Sequence, residues 1–368
     1  VGQSKISDQK LRQLINHFGE IRLRNTDFEF PDLLGAAYEY LIGEFADSAG
    51  KKGGEFYTPR SVVRMMVRLL KPTLEHDIYD PCCGSGGMLI AAKDYIDENG
   101  QDGRKANLFG QEYSGTVWSI AKMNMLLHGM NSADLRNEDT LGEPLHTENG
   151  ELLRFDRILT NPPFSLNWGS KDKDRSGEYT WQPKFRERFF HEVPLGSKKA
   201  DLMFLQHMLH VTRDGGMIAT VMPHGVLFRG GDEAKIRQQI IENDQIEAVI
   251  GLGPQLFYGT GIPACVIVLR QRIHEGANLV SGKPAERQGK VLFINADREY
   301  LEGRAQNHLM PEHIEKIVTT FEEYRAIPGF SAIVDLETLK ENDWNLNIRR
   351  YADNAPPPGP HDVRAHLF

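Results

Sequence analysis

The sequence predicts an α/β fold in which a Rossmann-like, doubly wound parallel sheet ends in an antiparallel hairpin. Short apolar strands alternate with helices from residue 76 onward, which is typical of a parallel sheet covered on both faces. A glycine-rich turn joins the first of these strands to its helix. Further along, "QIEAVIGLGPQLFYGTGIPACVIVLRQ" holds two strands about a dozen residues apart with no helix between them, which indicates an antiparallel pair at one edge.

Hydrophobic periodicity assigns the individual elements. Two amphipathic helices are predicted over 11–24 and 31–47, the second beginning behind Pro31. A third helix follows "GEFYTPR", with Thr58 as its N-cap and Pro59 at its first position. The later elements are strands over 77–80, 107–112, 133–136, 155–160, 216–222 and 291–295, and helices over 87–98, 114–128, 201–212, 232–243 and 311–325.

The composition divides the chain into three regions. Residues 1–50 are a helical segment, interpreted as the end of a longer helical domain, and residues 51–272 hold the sheet. Residues 273–368 are a linker plus a C-terminal region, with the linker placed at 271–290 because that stretch is polar and contains glycine. The "APPPGP" tail is predicted to be disordered.

The bulk properties exclude several classes of protein. A formal net charge of −8 argues against a protein that binds nucleic acid by bulk electrostatics, because phosphate binding needs Lys and Arg. Three cysteines cannot form a disulfide framework and have no zinc-site spacing, so we expect a cytoplasmic location. The apolar runs are too short to span a bilayer, which argues against a membrane role. Because the first residue is Val1, we expect that the chain lacks its true start.

The stretch "DIYDPCCGSGGML" predicts a cofactor site. Its strand ends at Asp80, and the glycines from Gly84 to Gly87 let a ligand approach the backbone. The spacing is not GxGxxG and no P-loop lysine follows, so S-adenosylmethionine fits better than a pyrophosphate ligand. Glu112 ends the next strand, where an acidic side chain accepts hydrogen bonds from both ribose hydroxyls. The alternative is a tight turn beside a solvated glutamate.

The tetrapeptide Asn161-Pro162-Pro163-Phe164 follows the strand "FDRIL" and predicts chemistry on an amino group. An amino group conjugated to an aromatic ring is a poor nucleophile, because its lone pair is delocalised. Accepting its two hydrogens at the Asn161 side-chain oxygen and the Pro162 carbonyl favours a tetrahedral nitrogen that can attack a methyl group. Prolines leave these acceptors without competing N–H donors.

A base inside a duplex must first be flipped out, at a cost of a few kcal/mol. Stacking on one aromatic ring returns roughly 1–3 kcal/mol, a role suited to Phe164. The alternative is a strand that the prolines terminate, with Phe164 as a core residue.

"GEFYTPR", "DPCCGSGG", "GQE" and "NPPF", in this order, resemble the N6-adenine DNA methyltransferases, and most closely the modification subunit of type I restriction-modification systems. The similarity continues through "MPHGVLFRGGDEAKIR", "LFYGTGIPACVIVL" and "DWNLNIRRY". It implies that 51–272 is a class I S-adenosylmethionine-dependent methyltransferase domain, with Asp139 at the cofactor's adenine amino group. The residues implied to hold the cofactor are Glu55, Phe56, Tyr57, Thr58, Pro59, Arg60, Asp80, Gly84, Ser85, Gly86, Gly87, Glu112 and Asp139.

The resemblance implies an enzyme that methylates the N6 amino group of a flipped adenine in double-stranded DNA. Only 99 residues follow the last core strand near Leu269, a linker and the tail among them, so a separate specificity subunit is expected to read the sequence. A second copy of this chain and a restriction (nuclease) subunit are the further expected partners. Two alternatives stay open: methylation of a protein glutamine or an RNA amino group, and a non-catalytic scaffold that only binds the cofactor.

Three weaker signals have two interpretations each. Residues 165–199 combine an excess of Lys and Arg with six aromatic residues, which suits DNA contact or a mobile surface insertion equally well. Asp201 and Phe204 either face the cofactor pocket or serve helix capping and core packing. His207 and His210 have metal-ligand spacing, but amphipathic helix positions explain them better and methyl transfer needs no metal.

Overall fold

The structure is a computed structural model that describes residues 7–20, 40–41 and 58–354, except 175, 198, 258–262 and 305. The helix predicted over 11–24 begins earlier, at Asp8, and ends at Gly19. Apart from residues 40–41, the helix predicted over 31–47 lies outside the described residues, as does the "APPPGP" tail.

The predicted alternation of strands and helices is confirmed. The strands of the main sheet are β1 (Asp77–Asp80), β2 (Asn107–Glu112), β3 (Asp134–Asn137), β4 (Phe155–Thr160), β5 (Thr212–Pro223), β6 (Ile246–Leu252), β7 (Ala264–Arg270), β8 (Lys290–Ala296) and β9 (Ser331–Asp335). The helices are α1 (Asp8–Gly19), α2 (Arg60–Leu70), α3 (Gly87–Glu98), α4 (Gly115–Leu127), α5 (Asp201–His210), α6 (Asp232–Glu242), α7 (Pro311–Glu322), α8 (Leu336–Glu341) and α9 (Ile348–Tyr351).

The strands form one sheet in the order β9-β8-β6-β7-β5-β4-β1-β2-β3. The pairs from β3 to β5 are parallel, and β7 is antiparallel to both of its neighbours. The chain runs outward from β1 to β3, then crosses back to β4 on the other side of β1. Ligands of open α/β sheets bind at such a reversal, outside the carboxyl ends of the strands.

The predicted antiparallel pair exists, but its position at an edge of the sheet is wrong. β6 pairs with β7 antiparallel, and β8 then extends the sheet by pairing parallel to β6, with β9 antiparallel at the edge. β8 contains the apolar run 291–294, and all of its residues except Lys290 are buried. Such a strand needs cover on both faces, which a place inside the sheet provides.

The stretch interpreted as a linker is also structured. Two short strands, Ile273–Glu275 and Asn278–Val280, pair as a hairpin, and a single 3₁₀ turn follows. Strands of one sheet therefore lie on both sides of the predicted boundary at residue 272.

Helices cover both faces of the sheet, which agrees with a doubly wound fold. One cluster of buried side chains joins α2, α3 and α7 to the sheet, and a second cluster joins α5 and α6 to the opposite face. Within the described residues, every helix is too short or too polar to cross a membrane.

Candidate active site

A cavity of about 1100 Å³ opens at the carboxyl ends of β1 to β4. Four loops line it, at residues 80–87, 112–114, 138–143 and 161–170, and each follows one of these strands. Small-molecule sites typically measure about 300–1,000 Å³. The cavity is therefore large enough for a cofactor and part of a second ligand.

The glycine-rich turn holds its shape through positive φ angles. Gly84 has φ +53° and Gly86 has φ +85°, and a Cβ on Gly86 would lie 2.5 Å from Met125 Cε. Gly87 lines the cavity, and a Cβ there would meet no atom within 4 Å. The turn therefore leaves open space beside its backbone, as a cradle for a ligand requires.

Two carboxyl groups flank this turn. Asp80 is buried at the end of β1 and accepts a hydrogen bond from the Cys82 N–H at 3.0 Å. Burial raises the pKa of Asp80 to about 7. Glu112 accepts the Gly84 N–H at 3.1 Å and the Ser114 N–H at 2.8 Å, and burial raises its pKa as well. The alternative interpretation of Glu112 as a solvated side chain is wrong.

Asp139 lies in the loop after β3 and also lines the cavity. It accepts the Leu141 N–H at 3.0 Å and the indole N–H of Trp181 at 3.2 Å. A carboxylate offers about four lone-pair positions, so acceptor capacity is left for a ligand.

Asn161 follows β4 directly and lines the cavity. Its Nδ2 donates to Thr58 Oγ1 at 3.0 Å, whereas its Oδ1 is buried without a hydrogen-bond partner among the described residues. The prediction of Thr58 as N-cap is wrong: Pro59 holds that position, and Thr58 contacts Asn161 instead.

The rest of the tetrapeptide divides between the cavity and the core. Pro163 lines the cavity, whereas Pro162 is buried. Phe164 is half-buried and packs against the cluster around α2 and α3. Its predicted stacking on a base stays a prediction, because the ring does not line the cavity in this conformation.

Part of the segment 165–199 packs as a wall of the cavity, whereas the described residues of 171–180 are exposed. Trp168 is fully buried and makes edge-to-face contacts with Trp181 and Phe189, each at 4.9 Å between ring centroids. Arg188 is buried and donates to the carbonyl oxygens of Thr140, Leu141, Lys184 and Phe185. The predicted contact between the exposed lysines of segment 165–199 and DNA stays a prediction.

The remaining predicted residues fall into three groups. Glu55, Phe56 and Tyr57 lie outside the described residues. Phe204 lines the cavity, whereas His207 is buried with Nδ1 2.8 Å from Arg188 Nη1, in a structural contact. Of the predicted cofactor residues, the described ones that line the cavity are Thr58, Arg60, Asp80, Gly84, Ser85, Gly87, Glu112 and Asp139.

Sequence reasoning singled out Asp201 but missed the polar cluster behind the tetrapeptide to which it belongs. Asp201 begins α5, but the N-cap of that helix is Ala200, and the Asp201 carboxylate accepts the Ser165 N–H instead. Arg229 and Glu233 complete the cluster. Only their presence in "MPHGVLFRGGDEAKIR" signals them in the sequence.

Carboxylates outnumber cationic groups along the described wall of the cavity. This balance suits the sulfonium cation of S-adenosylmethionine and disfavours a phosphate ligand. The residues present therefore fit that cofactor. The carboxylates belong to Asp80, Asp94, Glu98, Glu112, Glu138, Asp139 and Glu143, and the cationic groups to Arg60, Arg64 and Lys184.

The strand order and the cavity define the class I S-adenosylmethionine-dependent methyltransferase fold. The family model described as N-6 DNA Methylase matches residues 29–357, and the chain belongs to this family.

Several relatives carry the same fold. The chain is 36% identical over 350 residues to the type I restriction enzyme MjaVII methylase subunit of Methanocaldococcus jannaschii, covering 93% of this chain and 56% of that protein. It is 30% identical over 336 residues to the HindI methylase subunit of Haemophilus influenzae, covering 88% and 69%. A type I restriction-modification methyltransferase subunit from Streptococcus thermophilus superposes with a TM-score of 0.75 at 34% identity, covering 94% and 68%. The chain thus spans roughly half to two thirds of these relatives.

Proposed function

We propose that this chain transfers a methyl group from S-adenosylmethionine to the N6 amino group of a flipped adenine in duplex DNA. One observation carries the proposal: Asn161 lines a cavity that also holds a glycine cradle and two carboxyl groups of raised pKa, and its buried Oδ1 has no hydrogen-bond partner among the described residues. A buried acceptor without a donor costs free energy, which an incoming amino group recovers. Relatives named as type I methylase subunits support the same reaction.

The cofactor, when bound, supplies an electrophilic methyl group. In this proposal the glycine turn and the residues from Glu55 to Arg60 would line the cofactor pocket. Glu112 accepts from the ribose hydroxyls, and Asp139 accepts from the adenine amino group. Asp80 would lie near the cofactor, whose positive charge would favour the ionised form of its carboxyl group.

The amide of Asn161 prepares the target nitrogen. Its Oδ1 and the Pro162 carbonyl accept the two amino hydrogens, which draws the nitrogen lone pair out of conjugation with the ring. The bond from Nδ2 to Thr58 fixes the orientation of the amide and leaves Oδ1 as the acceptor for the substrate. After transfer, one of the two amino hydrogens leaves as a proton to water.

A net charge of −8 makes this chain a weak binder of DNA by itself. We therefore infer that it works as the modification subunit of a type I restriction-modification complex. A specificity subunit reads the sequence, a second copy of this chain completes the methylating unit, and a nuclease subunit joins for restriction. The names of the relatives support this assembly.

Transfer of tritium from labelled S-adenosylmethionine tests the proposal. The chain is assayed with and without a co-expressed specificity subunit on duplex DNA, RNA and a protein with exposed glutamines. We expect label in N6-methyladenine of DNA, and only with the partner present. Label confined to RNA or protein would overturn the substrate, and cofactor binding without any transfer would indicate a scaffold.

The variant Asn161→Ala tests the mechanism. We expect kcat to fall about 10²- to 10³-fold, as when an oriented polar group is removed from a transition state. Cofactor affinity measured by calorimetry should change less than about twofold, because Asn161 acts on the second substrate. Asn278→Ala, which removes an exposed amide in the hairpin outside the cavity, should leave both quantities unchanged. Full activity of Asn161→Ala would refute this mechanism.

A further inference from the structure

We infer that Asp201 and Arg229 form a positioning pair for the catalytic tetrapeptide. The pair holds Ser165, the residue directly after Phe164, in a left-handed conformation and so fixes where the tetrapeptide ends. The inference rests on the proposed function, because it assigns the pair to the reaction proposed above.

Ser165 has φ +55°, a conformation that costs a residue with a Cβ roughly 1–2 kcal/mol. Its N–H donates to Asp201 Oδ1 at 2.9 Å. A hydrogen bond to a carboxylate is about twice as strong as one between neutral groups. This bond therefore compensates for the conformation of Ser165 and ties the end of the tetrapeptide to α5.

The second carboxylate oxygen of Asp201, Oδ2, pairs with Arg229. Asp201 Oδ2 lies 3.1 Å from Arg229 Nη1, and that nitrogen also lies 2.9 Å from Glu233 Oε1. The side chain of Asp201 is 1% exposed and that of Glu233 is 0% exposed. One guanidinium thus lies between two buried carboxylates, and Lys199 Nζ supplies a second positive charge at 3.8 Å from Glu233.

Arg229 is itself fixed by the carboxyl half of the chain. A Cβ on Gly225 would lie 2.3 Å from Arg229 Nε, so the missing side chain makes room for the guanidinium. Arg237 is buried and donates to the Arg229 carbonyl at 2.8 Å and to the Trp344 carbonyl at 2.9 Å. These contacts connect "MPHGVLFRGG" and "DWNLNIRRY" to the catalytic loop.

Capping of α5 does not explain Asp201. The N-cap of α5 is Ala200, which makes no side-chain cap bond, and Asp201 Oδ1 bonds to Ser165 rather than to the helix. Both carboxylate oxygens are thus directed to the loop and to Arg229.

Asp201→Asn tests the inference in the full chain with its partner subunit. Asparagine is nearly isosteric with aspartate, but its NH₂ group must face either the Ser165 N–H or the Arg229 guanidinium. Both of these groups are donors, so one of the two hydrogen bonds is lost. We expect kcat to fall roughly 10- to 100-fold, with cofactor affinity within about twofold of wild type. Hydrogen exchange of a peptide covering 162–168 should accelerate. Asp335→Asn is the matched control, since Asp335 also accepts a backbone N–H but lies at the end of β9; it should change neither readout.

A rescue separates positioning from simple destabilisation. Ser165→Gly, placed in the Asp201→Asn background, should recover at least about fivefold in kcat, because glycine adopts positive φ without the steric cost. Wild-type kcat and exchange in Asp201→Asn would overturn the inference. So would a loss that Ser165→Gly does not recover and that follows a lowered melting temperature. If wild type fails to methylate DNA, the proposed function fails. The comparison of hydrogen exchange in wild type and Asp201→Asn still tests the contact between Ser165 and Asp201.

Discussion

The two halves of the sheet, β1 to β4 and β6 to β8, contribute differently to the cavity. Strands β1 to β4 end in loops that line the cavity, and the last described residue of the chain to line it is Phe204. Strands β6 to β8 are buried almost throughout, yet no described residue beyond Phe204 lines the cavity. The comparison teaches that the amino half builds the cavity, and in the proposed function the carboxyl half fixes groups that orient the cavity's catalytic loop.

Buried charge differs between the halves in the same way. Asp80 and Glu112 have no ion-pair partner among the described residues, and burial raises the pKa of each. In the carboxyl half, Glu247 is fully buried but pairs with both Arg270 and Arg287, at 2.8 and 2.7 Å. Carboxyl groups without a cation are typical of a site that awaits a ligand, whereas matched pairs are structural.

The largest expected effect comes from removing Glu247, the buried carboxylate that pairs with Arg270 and Arg287. Glu247→Ala leaves Arg270 and Arg287 without their buried counter-ion, so we expect the free energy of unfolding to fall by about 3–5 kcal/mol. Urea denaturation measures this loss. The exposed pair of Arg325 and Glu323 is the control, and Glu323→Ala should change stability by less than about 1 kcal/mol. Equal effects of the two variants would contradict the comparison.

The next effect concerns the amino half. Glu112→Ala removes the acceptor of two backbone N–H groups and the proposed partner of the ribose, so cofactor affinity should fall about 10- to 100-fold. Calorimetric titration with S-adenosylmethionine measures it, and kcat at saturating cofactor should change little. Glu151→Ala, at an exposed carboxylate, is the control. Unchanged affinity in Glu112→Ala would remove Glu112 from the cofactor site.

A pH dependence follows from Asp80. Burial raises its pKa from 3.8 to about 7, so between these values the folded chain holds a proton that the unfolded chain has lost. The stability of the ligand-free chain should therefore decrease as the pH rises from about 4 to 7 and level off above. A cationic ligand favours the ionised carboxylate, so cofactor affinity should rise about tenfold between pH 6 and 8.

Asp80→Asn provides the control for this dependence. The amide is nearly isosteric and does not titrate, so the rise in affinity between pH 6 and 8 should disappear. A rise of the same size in Asp80→Asn would assign it to another group.

The sequence predicts those parts of the site that depend on local pattern. Asp80, Glu112 and Asn161 each end or follow a predicted strand, and carboxyl ends of parallel strands meet at one edge. The structure brings all three to one cavity for that reason. The class of fold follows from the same alternation of strands and helices.

The hydrophobic pattern of the sequence does not predict contacts between residues that lie far apart in the chain. β8 joins β6 across a polar stretch that resembles a linker, and only the pairing identifies it as part of the sheet. Asp201 and Arg229 form an ion pair although they lie 28 residues apart, and hydrophobic periodicity does not predict such a contact. Asn161 contacts Thr58, a residue 103 positions earlier that the sequence suggested as a helix cap.

That last contact gives the smallest expected effect, and it distinguishes two roles for one residue. Thr58→Val keeps the shape of the side chain but removes the acceptor of the Asn161 Nδ2 hydrogen. An ordinary hydrogen bond contributes about 0.5–1.5 kcal/mol, so we expect kcat to fall roughly 2- to 10-fold. Thr58→Ser keeps the hydroxyl and should retain most of the activity. Steady-state methylation at saturating cofactor measures both variants.

The two kinetic quantities separate the possible roles of Thr58. If it orients Asn161, Thr58→Val lowers kcat and leaves cofactor affinity unchanged, because the amide acts on the adenine. If it binds the cofactor, as the resemblance implies for "GEFYTPR", affinity falls and kcat at saturation is kept. The first result would make Thr58, two residues before α2, a positioning residue for Asn161, and the second would assign Thr58 to the cofactor site.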